Sequence, residues 1–149
     1  MKNFIPFGKP DIGKDEINFI TKVIKSKWIG SGPITEKFES QFKKYKDSKF
    51  ALSVNSCTAA LHLSLIYCGV KKGDEVITTP MTFASTINSI IMAGAKPILA
   101  DIKLDTFNID VEQIKKKITK KTKAILIVHL GGLPCDMTEI LRLVKKYKL

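Results

Sequence analysis

Apolar positions along the chain fall into two alternating rhythms, short unbroken runs and runs spaced about every third or fourth residue. Phe50-Ala51-Leu52-Ser53-Val54, Glu75-Val76-Ile77-Thr78-Thr79, Pro97-Ile98-Leu99-Ala100 and Ala124-Ile125-Leu126-Ile127-Val128 are short runs without polar alternation and read as buried strands. Between them lie helical spacings. Ala59 to Leu65 is rich in helix formers and closes at Gly69, with Cys68 read as helix core. A second helix carries Phe83, Ile87, Ile90 and Ile91 on one face and stops at Gly94. Asp110 caps a third with Val111, Ile114 and Ile118 inward. Asp136 and Glu139 have capping-box spacing and open a last helix with Met137, Ile140, Leu141 and Val144 inward. Strands of this kind joined by helices predict an α/β fold, a mostly parallel sheet flanked by helices.

Two amphipathic helices precede this core, marked by Ile17, Ile20, Val23 and Ile24 and by Ile34, Phe38, Phe42 and Tyr45. Trp28-Ile29-Gly30-Ser31-Gly32-Pro33 separates them and cannot be helical at its glycines and proline. Trp28 is either a hydrophobic staple or part of a ligand wall. The chain accordingly divides into an N-terminal helical segment, residues 1–48, and an α/β region, residues 49–149.

The junction Asn55-Ser56-Cys57-Thr58 carries the candidate chemistry. A strand feeding a helix through a short Ser/Thr turn leaves backbone N–H groups unpaired at the positive end of the helix dipole, a ready anion site. Its alternative is simple capping of the helix by Ser56 or Thr58. Open parallel sheets bind ligands at the carboxyl ends of their strands. That rule gathers Asn55–Thr58, Pro80–Phe83, Asp101 and His129–Pro134 at one end. No G-x-G-x-x-G follows a strand, and no P-loop is present.

Composition narrows the field. With 149 residues, 44% hydrophobic and 26% charged, the chain can bury a core of ordinary globular kind. No window approaches the roughly 18–20 apolar residues of a membrane span, and Met1–Pro6 has no signal-peptide apolar region. No membrane partner is expected, and the cytoplasm is the expected compartment. Cys57, Cys68 and Cys135 have no paired spacing, which argues against a zinc site or a disulfide framework, so no metal is expected. The net charge of +11 is carried almost wholly by lysine, Arg142 being the one arginine. The lysines lie between apolar helix positions rather than in a stripe with aromatics, so solvated faces are expected and nucleic acid is not. Attraction of an anionic ligand is the lesser use of that charge.

These blocks together resemble the N-terminal part of the DegT/DnrJ/EryC1/StrS sugar aminotransferases, pyridoxal-phosphate enzymes of fold type I. The resemblance runs through Pro6-Phe7 with Lys9-Pro10, Trp28–Pro33, Phe38-Glu39, Asn55–His62, Gly73–Ile77, Met81–Thr86, Gly94–Pro97, Thr122–Ile125 and Val128–Leu130. It implies a partial fold type I large domain, with residues 49–149 a truncated pyridoxal-phosphate-binding domain. It implies pyridoxal 5'-phosphate as cofactor, with Cys57, Thr58 and Ala59 around its phosphate and Phe83 stacked on its ring. Cys57 stands where glycine is common; contacts from backbone amides tolerate that change. Trp28, Gly30, Ser31 and Gly32 are similar to the segment near the substrate and dimer interface. Leu133 stands where many members have glutamine.

Transamination also requires a lysine that forms a Schiff base with the cofactor and an acid that pairs with its pyridinium nitrogen. In the family both follow the segment matched here, so no catalytic residue is assigned within 1–149. The expected function is the N-terminal portion of a nucleotide-sugar aminotransferase, moving an amino group, from glutamate, onto a keto-sugar nucleotide. Alone it is expected to be inactive. It would act as a homo-oligomer or with a complementing C-terminal fragment. The alternative is a non-catalytic remnant or binding module that pairs with a full-length relative. Fold type I separates the first core strand from the next by strands that follow later, so the sheet is expected to have open edges.

Overall fold

A computed structural model describes residues 8–149; the Pro6-Phe7 block of the resemblance lies outside them. The chain forms two units that divide between Ser53 and Val54.

In the first unit, α1 (Lys14–Lys25) and α2 (Pro33–Tyr45) form where the apolar spacing predicts them. Glu16 accepts a hydrogen bond from the Gly13 amide at 2.7 Å, which closes the first turn of α1. Pro33 starts α2 at the position where a missing N–H costs nothing. Neither helix buries a residue: Ile17, Ile20, Ile24, Phe38 and Phe42 are all exposed. Glu39 of α2 accepts from both the amide (2.7 Å) and the hydroxyl (2.9 Å) of Ser53. The Ser53 amide, with its hydroxyl, holds the Glu39 carboxyl below the ordinary carboxylate range. A depressed folded-state pKa means the contact contributes stability above the unfolded value and is lost as pH falls through the folded one. In Ser53→Ala the Glu39 carboxyl carbon, followed by NMR, is expected to titrate at higher pH. An unchanged midpoint would contradict the assignment.

In the second unit, β1 (Glu75–Thr78) lies between β2 (Lys96–Leu99) and β3 (Thr122–Ile125), all parallel. Successive strand residues face opposite sides, so β1 serves two cores. Ile77 joins Ala100, Ile109, Val111, Ile114, Ile140 and Leu143 under α5 (Val111–Lys117) and α6 (Met137–Tyr147). Val76 joins Leu65, Val70, Ile90 and Ala93 under α3 (Cys57–Tyr67) and α4 (Ala84–Met92). Gly94, just past α4, has φ +82, and a Cβ there would lie 3.2 Å from the Lys72 backbone nitrogen. Both facts require glycine at that stop.

Four expectations need correction. Phe50–Val54 is not a strand. A strand exists through its ladder, and no described segment pairs with this run. The inward face of α4 is Thr86, Ser89, Ile90 and Ala93, whereas Phe83 and Ile91 point out. The small polar residues fit close against the sheet because Ser89 donates to the Thr86 carbonyl and the Thr82 and Thr86 hydroxyls share a hydrogen bond. In α6 the buried partner of Ile140 is Leu143, and Leu141 is exposed; a shift of two residues around a helix moves a side chain to the far side. Cys68 is exposed because it is the C-cap of α3, where the chain turns out at Gly69 (φ +74).

Candidate functional site

The carboxyl ends of the three parallel strands define one end of the second unit. α3 runs antiparallel to them. Its last turn meets the start of the sheet, where the Lys123 Cε lies 3.7 Å from a Cβ built on Gly69. Its eleven residues then carry its first turn back to the carboxyl end.

That first turn is built as follows. Ser56 is the N-cap, and its Oγ accepts from the Ala59 amide at 3.2 Å. Ser56 thus performs the capping that the turn pattern allows. Among the described residues, no acceptor meets the amides of Cys57 and Thr58. Cys57 is exposed, while Thr58 and Ala59 are half-buried. The first turn of α3 holds no acid, and neither does that of α4; α2, α5 and α6 each have one and α1 has two. Helix starts favour negative charge. Four of the six supply it from their own side chains, and α3 and α4 leave it to be supplied from outside. A phosphate dianion matches that arrangement in charge and in donor geometry.

Phe83 is the N-cap residue of α4, at the carboxyl end of β1, and 79% of it is exposed. Its ring is not a core aromatic. Thr79 and Thr82 hold the segment before it: the Thr79 Oγ1 accepts from the Met81 amide at 3.1 Å, and Thr82 shares the 2.7 Å bond with Thr86. A planar ring ligand could lie on that exposed face.

Beyond β3, the segment His129–Pro134 is held by a residue that sequence reasoning missed. Asn108 is 5% exposed; its Nδ2 donates to the carbonyls of Leu133 (3.0 Å) and Pro134 (3.3 Å), and its Oδ1 accepts from the Leu130 amide (3.1 Å). The Cys135 amide donates to His129 Nδ1 at 3.0 Å, and its thiol to the Val128 carbonyl at 3.1 Å. A neutral His129 therefore carries its proton on Nε2. Burial pushes the Cys135 thiol up from its ordinary pKa. Asn108 follows Phe107 (φ +55) in a loop closed by the bridge between Ile102 and Ile109. No periodicity marks such a residue. Leu133 is exposed and brings no polar group.

In the first unit, Trp28, Gly30 and Gly32 line a concavity of about 380 Å³ with Val23, Ile29 and Ile34 among the other walls. The Trp28 indole N–H donates to the Ser31 carbonyl at 2.9 Å, so Ser31 holds the wall rather than forming it. A Cβ on Gly32 would meet the indole nitrogen at 2.3 Å. Gly32→Ala is therefore expected to expel the indole from its place and change Trp28 fluorescence in intensity and wavelength. An unaltered emission spectrum would refute the contact. Trp28 is 58% exposed.

The sequence profile of the DegT/DnrJ/EryC1/StrS aminotransferase family matches residues 10–149. The chain belongs to that family. Among DegT/DnrJ/EryC1/StrS relatives, protein MJ1066 of Methanocaldococcus jannaschii is 52% identical over 148 residues, 99% of this chain and 38% of that protein. The spore coat polysaccharide biosynthesis protein SpsC of Bacillus subtilis is 46% identical over 147 residues, again 99% and 38%. The sugar aminotransferase Spr1654 of Streptococcus pneumoniae, solved in pyridoxal-phosphate and pyridoxamine-phosphate forms, superposes with a TM-score of 0.90 at 39% identity, over 95% of this chain and 36% of that one. The chain thus spans well under half the length of these relatives. Its fold is part of a fold type I aminotransferase, and the family and these structures indicate pyridoxal phosphate as the cofactor. Among the described residues no helix is long and apolar enough to cross a membrane.

Proposed function

We propose that the chain is the N-terminal portion of a pyridoxal-phosphate-dependent nucleotide-sugar aminotransferase, which moves an amino group from glutamate to a keto-sugar nucleotide. The observation that carries the reading is the acid-free start of α3, with two unclaimed amides, at the same end of the sheet as the exposed ring of Phe83. The cofactor supplies electron withdrawal from the carbon that gains or loses the amino group. The chain's own residues do the holding. Cys57 and Thr58 receive the phosphate through backbone N–H groups, with the Thr58 hydroxyl beside them. Ala59 keeps the site open because its side chain is only a methyl group, while its amide stays with Ser56. Phe83 lies on the ring. The concavity of Trp28, Gly30 and Gly32 receives part of the substrate, with Ser31 fixing the indole.

No lysine of 1–149 is assigned the covalent role, so the isolated chain is expected to bind the cofactor without turnover. Supplying the remaining segment of SpsC, as a co-expressed C-terminal fragment, is expected to restore amino transfer. Pyridoxal-phosphate absorbance titration followed by borohydride reduction and peptide mapping tests both statements. The expected result is reversible binding with no adduct for the chain alone. An adduct on one defined lysine of 1–149 would overturn the assignment.

A further inference from the structure

The end of the sheet opposite the candidate site is as distinctive as the site itself. Most lysines between Val54 and Leu149 belong to segments at that end; Lys103 does not, and the Lys115 ammonium turns back to Glu112 in the first turn of α5. Lys71 and Lys72 precede β1, Lys96 opens β2, and Lys121 and Lys123 flank the start of β3. The end of α5 adds Lys116 and Lys117, the end of α6 adds Lys145, Lys146 and the C-cap Lys148, and Lys120 lies in the turn before β3. Their convergence is structural. The Glu75 amide donates to the Lys121 carbonyl at 2.8 Å, and Lys120, Thr119 and Tyr147 line one concavity. Lysines in last helical turns complement the helix dipole, which explains those of α5 and α6. The lysines at the strand starts are not at helix ends, and of these only Lys96 lies across the β1–β2 ladder from an acid, Glu75. Among the described residues, the acids at the strand starts are engaged internally: Asp74 accepts from the Lys71 amide (3.0 Å) and Glu75 from the Thr119 hydroxyl (2.6 Å), while Glu112 of α5 pairs with Lys115 (2.6 Å).

We propose that this lysine-bearing end of the second unit docks on an anionic lipid bilayer. The lysines come from all three layers, the α3–α4 side, the sheet and the α5–α6 side, so they cover a broad face rather than a stripe. A broad face of point charges matches a planar array of lipid phosphates; a nucleic-acid strand calls for a groove, arginine forks and stacking platforms. Tyr67, 92% exposed at the end of α3, and Tyr147 at the end of α6 stand at the same end, as interfacial tyrosines do. Asp101, Asp110 and Asp136 stand at the opposite end and keep the candidate site turned to water. A peripheral contact of this kind needs no membrane-crossing helix, and none is present among the described residues. It does not depend on the cofactor reading.

Co-sedimentation of the full chain with vesicles tests it. Binding is expected with vesicles of about one-third phosphatidylserine in phosphatidylcholine, and not with phosphatidylcholine alone, since each lysine near such a surface is worth about fivefold. It is expected to be lost between about 0.05 and 0.5 M salt. Replacing Lys71, Lys120 and Lys145 together by glutamine is expected to weaken binding about a hundredfold, three such factors. Lys103→Gln, at the other end of the second unit, is expected to weaken it less than about twofold. Circular dichroism establishes that both variants fold. Absence of binding to the anionic vesicles, equal loss in the two variants, or tighter binding to single-stranded DNA than to vesicles at equal phosphate would each overturn the proposal.

Discussion

Ile77→Ala is expected to destabilise the second unit by about 2–5 kcal/mol, the range for deleting a fully buried aliphatic side chain and leaving a cavity. Ile77 has no exposed surface and sits on the central strand, in contact with the core under α5 and α6. Its neighbours on β2 and β3 are held by backbone ladders and cannot collapse into the space. A domain has about 5–15 kcal/mol in total, so the loss is a large share. With a urea slope of about 1–3 kcal/mol/M, the midpoint should fall by about a molar or more. Ile91→Ala is the matched control. Ile91 is exposed on α4, and its truncation is expected to change stability by less than about 0.5 kcal/mol. Equal losses at the two positions would mean that the inward face of α4 is the one predicted from spacing rather than the one described.

Asn108→Ala is expected to cost about 2–4 kcal/mol, less than the full sum of the three groups it leaves behind because water can reach an exposed loop. Those groups are the Leu130 amide and the Leu133 and Pro134 carbonyls. The damage should be local as well as global: amide exchange at Leu130 should accelerate more than at Ile77. Asn108→Asp separates the donor role from the acceptor role. A carboxylate there still accepts from Leu130 but faces two carbonyls, so its neutral form is favoured and its folded-state pKa is raised. The variant should therefore be more stable below the unfolded aspartate pKa and lose that advantage as pH rises through the folded value. A variant whose stability relative to the parent does not change with pH would show that Asn108 does not donate to those carbonyls.

Much of the second unit was legible from spacing. The runs at Glu75 and Pro97 became parallel strands, the third strand formed at Thr122–Ile125 and took in only Ala124 and Ile125 of the run Ala124–Val128, and Asp110 and Asp136 cap their helices as read. What misled was any inference that needed the partner rather than the pattern. Phe50–Val54 has strand composition and no strand beside it. Ile91 and Leu141 are apolar and face outward, because Ser89 and Leu143 fill the space next to the sheet. The turn at Ser56 was legible both as a cap and as an anion site, and the structure realises the cap with two amides to spare. Asn108 was illegible, since a buried asparagine is recognised only by the carbonyls it meets across the fold.

The two cores that share β1 are completed at different points in synthesis. The cluster under α3 and α4 draws its buried members from Leu65 to Ala95, so it can close once β2 has emerged. The cluster under α5 and α6 needs Leu143, near the other end of the chain. Contacts close in sequence cost less to bring together. On a ribosome, the face that carries the Ser56 turn and Phe83 is therefore the first to set, and the loop that Asn108 clamps is the last.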